Sequence, residues 1–230
     1  MRDELRSLYG LPDDKIRLVY PPVDAARFHA VDMDARRTLR RRFGFADDEV
    51  VLLFASSSHA RKGLPLIETV VRHTPLPVVI AVAGRPPERT SERIRYLGYL
   101  EDLEDGYRAA DFTILASKYE PFGLVAIESA MCGTPAIVAG NIGCCDAIAP
   151  EQRFVFAPDD AADLHAVLER ATRVARTGPQ RAWMAGGRAA LAYDPDVAAH
   201  VDALLGLAWQ IEARRRQPAT RTAAAHRPSA

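Results

Sequence analysis

The sequence predicts an α/β fold built on a doubly wound, Rossmann-like parallel sheet, and two features of its patterning carry that expectation. Short β-branched apolar runs recur along the chain, mostly continuous rather than alternating, as strands buried on both faces require. Segments with helical periodicity separate them, and strands alternating with helices read as βαβ units. The composition agrees, since 230 residues with 48% hydrophobic side chains suffice for a packed core in one large domain or two small ones.

In chain order, the expected strands are "IRLVY" (16–20), "VVLLFA" (50–55), "VVIAVA" (78–83), "RIRYLG" (93–98), "FTILA" (112–116) and "AIVA" (136–139). Helices are expected at 64–73, 103–109 and 124–131, and later at 161–176, 180–191 and 196–212. "CGTP" (132–135) reads as a helix stop and a turn into the next strand, with Gly133 at the C-cap and Pro135 beyond it. The end, "ARRRQPATRTAAAHRPSA", has small, basic and proline residues without periodicity, so the expected division is a domain over 1–212 and a disordered basic tail over 213–230.

Charge and cysteine content exclude several function classes. Lys+Arg and Asp+Glu balance at 30 each, which leaves no global field to draw the protein onto nucleic acid or an anionic membrane. The start, "MRDELRSLYG", lacks an apolar signal core, and no apolar run approaches the ~20 residues that span a bilayer. Membrane contact is therefore expected to be peripheral at most, at the inner face. The cysteine count of three is odd, and the adjacent Cys144 and Cys145 would need strained geometry to bond to each other. A reduced, cytoplasmic setting fits, with these two cysteines read as packing residues.

In a doubly wound sheet, ligands gather at the carboxyl ends of strands. The loop 56–63, "SSSHARKG", holds hydroxyls, a histidine, Arg61 and Lys62, a composition that suits an anion. Lysine is rare here, at 15, 62 and 118 only, which makes Lys62 compositionally unusual. His59 is expected to be a solvated loop histidine, with assistance to the phosphate as the second reading. The loop 117–123 delivers the first N–H groups of the 124–131 helix, which lack intrahelical partners and carry the positive end of the helix dipole. Such groups hold phosphates. Glu120 precedes that helix and Glu128 lies one turn into it. Carboxylates beside a phosphate site suit hydroxyl hydrogens, which suggests a sugar nucleotide. For Glu128 a second reading stands beside this one: a carboxylate on an apolar helix also pairs with an arginine.

The stretch "ADFTILASKYEPFGLVAIESAMCGTPAIVA" (110–139) resembles the sugar-nucleotide-binding domain of family 4 glycosyltransferases with the GT-B architecture. The resemblance rests on Ala110-Asp111, Ser117, the Glu-x7-Glu pair, Phe122-Gly123 and the Cys-Gly-Thr-Pro turn. Upstream, "KIRLVYPPVDAARF", "RKG" and "RYLGYLEDLEDGYRAAD" resemble the family's lead-in strand, phosphate loop and nucleobase-side strand and helix, so that about 1–176 is covered. The resemblance implies the C-terminal half of a GT-B fold. Glu120 would bond donor-sugar hydroxyls near the reacting carbon, and Glu128 would hold the nucleotide ribose. Arg61 and Lys62 would neutralise the diphosphate with the N–H groups of Phe122, Gly123 and Leu124, and Gly98, Tyr99 and Leu100 would line the base pocket. It further implies metal-independent transfer with retention of anomeric configuration and no cofactor. No Asp-x-Asp motif stands at a predicted strand end.

Two departures qualify this picture. The second phosphate-contacting arginine of the family falls at Ser56 here, with Arg61 or Arg27 as candidate substitutes. The acceptor-binding domain that precedes the lead-in strand in a whole GT-B enzyme does not stand in this sequence, so the expectation is half an enzyme, completed by an acceptor-domain chain or a homodimer. Within the family, "ARKGLPLIETVV" and "NIGCCDAI" look most like bacterial lipopolysaccharide-core glucosyltransferases, which use UDP-glucose. The competing expectation is a non-catalytic module that binds a sugar nucleotide or docks on another glycosyltransferase, with Trp209 and its apolar neighbours partly uncovered.

Overall fold

A computed structural model describes residues 2–177 and 186–216. Six strands, β1 (Val50–Ser56), β2 (Val78–Gly84), β3 (Ile94–Gly98), β4 (Phe112–Leu115), β5 (Ala136–Ala139) and β6 (Arg153–Phe156), form one parallel sheet in the order β3-β2-β1-β4-β5-β6. This is the doubly wound, Rossmann-like sheet that the patterning predicts. Its helices include α1 (Arg2–Tyr9), α2 (Met33–Arg42), α3 (His59–Lys62), α4 (Leu64–His73), α5 (Leu103–Ala109), α6 (Leu124–Met131), α7 (Ala161–Thr177) and α8 (Val197–Arg216). The order reverses between β1 and β4. From β1 the chain crosses through α4 toward one edge, and from β4 through α6 toward the other, so right-handed crossovers place the two helices on opposite faces. α4 packs on α7, while α5 packs on both α2 and α6. Between these layers β1, β2, β4 and β5 are almost wholly buried, which explains their continuous apolar runs.

The run 16–20 is not a strand. Leu18 points outward at 61% exposure, and Pro21 and Pro22, which carry no N–H, follow at once. Its last residue and those just after it are held instead by the far end of the chain: His200 Nδ1 lies 2.9 Å from the Tyr20 carbonyl, Tyr193 Oη donates to Pro21 O at 3.0 Å, and Val23 N donates to Pro195 O at 2.9 Å. The strand β6 takes the sheet edge next to β5, with Phe154 and Phe156 buried and Val155 outward. The helix expected at 180–191 is also corrected. Residues 187–190 form a single 3-10 turn, and Gly186 backs against the "CGTP" turn so closely that a Cβ would stand 2.6 Å from Gly133 N; 180–185 lie outside the described residues. α8 continues to Arg216, and the remainder of the expected tail lies outside the described residues.

The helix α2 is held by arginines rather than by an apolar stripe. Asp32 caps it, its Oδ1 accepting from Asp34 N at 3.0 Å and Ala35 N at 2.8 Å. Arg36, only 1% exposed, donates to the carbonyls of Arg108, Ala109 and Ala110 at 2.7, 2.7 and 3.0 Å and to Asp111 Oδ1 at 3.1 Å. One turn on, Arg40 donates to Asp111 Oδ2 at 2.9 Å, and the same oxygen accepts Val51 N at 2.8 Å. Asp111 thus locks α2, the end of α5 and the start of β4 to the central strand β1.

Candidate functional site

The strand reversal between β1 and β4 leaves a crevice at their carboxyl ends, the place where open α/β sheets bind ligands. Two loops meet there. The first runs from Ser56 through α3 to Gly63; the second runs from Ala116 to Gly123. They approach so closely at Gly63 that a Cβ would lie 2.0 Å from Ala116 O, and Gly63 adopts φ +81, in the left-handed region. Only glycine fits both conditions. The Arg61 carbonyl accepts Lys118 N at 3.1 Å, and Arg61 Nη1 donates to Tyr119 O at 3.2 Å.

This tie brings Lys62 and Glu120 together. Lys62 Nζ is in direct contact with Glu120 Oε2, both side chains being largely buried, and Arg61 Nη1 stands 3.6 Å from the same oxygen. Beside them, α6 begins after Gly123, which has φ +94 and supplies no side-chain cap. The first turn of α6 therefore presents N–H groups without an intrahelical acceptor. Phe122 is fixed by its ring, 5.5 Å from that of Tyr20, which in turn lies 4.9 Å from Tyr193. Asn141 Nδ2 holds the second loop from behind, donating to Lys118 O at 3.0 Å. At the end of β4, Ser117 is buried, and its Oγ has no hydrogen-bond partner among the described residues.

Deeper along α6, Glu128 is half-buried, and its Oε2 accepts a hydrogen bond from Tyr107 Oη at 2.8 Å. Burial pushes the Glu128 carboxyl above its ordinary range, against the opposing pull of that hydrogen bond and of the Arg27 charge. Arg27 is itself held by Glu104 Oε2 at 2.9 Å and the Glu101 carbonyl at 3.0 Å. The partner of Glu128 is thus a tyrosine hydroxyl rather than an arginine. Arg27, a candidate substitute for the arginine missing at Ser56, lies on this Glu128 side.

Gly98 ends β3 with φ +84, Tyr99 is 73% exposed, and Leu100 packs against the core beside Gly106. His59 departs from the solvated expectation: its ring sits edge-on to Phe54 at 5.8 Å, and its Nε2 is buried without a hydrogen-bond partner among the described residues. Cys132, Cys144 and Cys145 are free thiols. Burial pushes Cys132 and Cys144 up to about 12, which keeps them as unreactive thiols. Patterning alone did not single out Tyr107. It lies in the quoted "DGYRAAD", and the available signal was a tyrosine four residues before an aspartate that starts a buried strand.

A parallel sheet of this order, with basic side chains and an uncapped helix N-terminus at its reversal, matches the fold of the C-terminal domain of GT-B glycosyltransferases. The model of the family glycosyl transferases group 1 matches residues 35–177, and the chain belongs to that family. A probable transglycosylase of Burkholderia thailandensis is 66% identical over 217 residues, covering 94% of this chain and 60% of that protein. Among solved structures, Anabaena HepE in complex with UDP-glucose superposes with a TM-score of 0.72 at 18% identity, covering 88% of this chain and 60% of that one. WaaG, a glycosyltransferase involved in lipopolysaccharide biosynthesis, superposes with a TM-score of 0.67 at 19% identity, covering 82% and 55%. Both structural likenesses concern the fold. The chain spans 60% of the length of the Burkholderia relative. Among the described residues, no helix is long and apolar enough to cross a membrane.

Proposed function

We propose that this chain is the donor-binding half of a retaining family 4 glycosyltransferase that takes a nucleoside diphosphate sugar, UDP-glucose, in cell-envelope polysaccharide or lipopolysaccharide synthesis at the inner membrane face. The observation that carries the proposal is the meeting of Lys62, Glu120 and the uncapped start of α6 at the strand reversal. A diphosphate leaving group gains negative charge as the glycosidic bond breaks. Arg61, Lys62 and the N–H groups of Phe122, Gly123 and Leu124 form a fixed array of positive charge for it, with no metal or cofactor. Glu120 then takes the sugar hydroxyls beside the reacting carbon, Glu128 the ribose, and Gly98, Tyr99 and Leu100 the nucleobase.

The acceptor falls to another surface. α8 buries none of its residues, and Trp209 on it is 68% exposed, which supports docking of an acceptor-domain chain or a second copy there. The same exposure favours a second reading, a non-catalytic sugar-nucleotide-binding subunit. Calorimetry of the chain with UDP, GDP and UDP-glucose tests the donor role: saturable heat with UDP is expected, and no heat with any nucleotide overturns it. Release of glucose from UDP-glucose, lost in Glu120→Ala, separates the enzyme from the binding subunit.

A further inference from the structure

We propose that Tyr107 is the positioning residue for the ribose carboxylate: its hydroxyl fixes Glu128 through Oε2 and so aims Oε1 at the ribose hydroxyls. The inference rests on the ribose role proposed above for Glu128 and adds a residue to that site. Tyr107 is fully buried on α5, and its place is set at three points. Its ring lies 6.2 Å from that of Phe28, its carbonyl accepts Thr134 Oγ1 at 2.7 Å from the turn that ends α6, and its hydroxyl donates to Glu128 Oε2 at 2.8 Å. The carbonyl contact ties α5 to the far end of α6, so the hydroxyl meets Glu128 on a helix whose own position is already fixed.

The alternative partners explain why a neutral donor stands here. The charged groups around Glu128 are Arg27, on the segment before α2, and Glu104, on α5. An arginine paired directly with Glu128 would neutralise it and take both oxygens, leaving no strong acceptor for a hydroxyl. Arg27 is instead engaged by Glu104 and the Glu101 carbonyl. Burial and the neighbouring Glu128 charge hold the Tyr107 phenol far above its ordinary range, so it remains a donor at every working pH. Among the described residues, no hydrogen bond reaches Glu128 Oε1.

The test is titration of the full chain and its Tyr107→Phe variant with UDP and with 2′,3′-dideoxy-UDP, whose sugar offers Glu128 no hydroxyl. The wild type is expected to prefer UDP. Tyr107→Phe is expected to weaken UDP about tenfold, the loss of one hydrogen bond to a charged group, and to leave dideoxy-UDP unchanged. In a Glu128→Gln background the same substitution is expected to change UDP affinity less than twofold, since the two residues act as a unit. Equal weakening of both nucleotides, or none of either, overturns the positioning role while the donor reading stands. A wild type that binds both nucleotides equally overturns the ribose role of Glu128, and this inference with it. If Tyr107→Phe melts early, the ratio of its UDP to its dideoxy-UDP affinity, taken below its melting temperature, still decides: a reduced ratio supports the aimed carboxylate, and a ratio equal to the wild type's overturns it.

Discussion

Lys62 and Glu120 form an ion pair across the two loops at the strand reversal, with Arg61 at 3.6 Å from the same carboxylate oxygen. In the proposed reading, these are the charges that serve the phosphate and the sugar, and a bound donor competes with their pairing. Removing Glu120 frees Lys62 for the diphosphate and removes a negative charge beside it. Glu120→Ala is thus expected to bind UDP as tightly as the wild type or a few-fold better, while sugar release falls at least about 100-fold, a loss of roughly 3 kcal/mol of transition-state stabilisation. Calorimetry and a glucose-release assay read the two halves, and a variant that loses UDP binding while keeping turnover would contradict the division.

Gly63 permits that pairing. Its φ of +81 and the 2.0 Å approach of a Cβ to Ala116 O leave no room for alanine. Gly63→Ala is expected to cost at least about 2 kcal/mol of stability and to push the basic loop away from Glu120. Thermal denaturation and UDP titration should both register the change; a variant with unaltered melting and binding would mean the loops do not meet as described.

The α2 anchor is a stability device with a sharp signature. Asp111→Ala removes the buried carboxylate that Arg36 and Arg40 share, so a loss of about 3–5 kcal/mol is expected. Arg40 also donates to three carbonyls outside the pair, Ala109 O at 3.2 Å, Ala46 O at 2.6 Å and Glu49 O at 3.1 Å, and removing it leaves Asp111 paired with Arg36. Arg40→Met should therefore cost less than Asp111→Ala, which chemical denaturation can rank. The opposite order would show that the carbonyl contacts, rather than Asp111, hold α2 in place.

The same anchor shows where the sequence was legible. α4, α5 and α6 match their expected ranges to the residue, because apolar periodicity, Gly63, Gly123 and the "CGTP" stop all act locally. α2 carries no such stripe: its buried face is Arg36 and Arg40, four apart, whose shared partner Asp111 lies 75 and 71 residues away. The run 16–20 misled in the reverse sense, since its β-branched composition suits a strand but the chain there is held by His200 at Tyr20 and, just beyond, by Tyr193 at Pro21 and Pro195 at Val23. Glu120 and Glu128 were visible from spacing and resemblance. Tyr107 and the Lys62–Glu120 contact were not, because each depends on how two distant segments pack.

The raised Glu128 carboxyl gives a pH test with a definite sign. Its folded value lies above its unfolded one, so the neutral form is the one that folding favours. The resulting stability is fully present below the unfolded value, about 4.3, and is lost as pH rises through the folded value. At neutral pH the buried charge is therefore a net cost. Glu128→Gln, permanently neutral, is expected to melt above the wild type at pH 7–8, by about 2–4 °C for each kcal/mol recovered in a domain of this size. The difference should vanish near pH 4. UDP affinity runs the other way: it should fall in the wild type as pH drops through the raised Glu128 value, because protonation replaces an acceptor for ribose hydroxyls with a donor. Calorimetry across the acidic range reads this when 2′,3′-dideoxy-UDP is run beside UDP, because both share the titrating phosphate and only UDP carries the hydroxyls. A Glu128→Gln variant that melts at or below the wild type at pH 8 would mean that the carboxylate is held by charge partners rather than strained by burial.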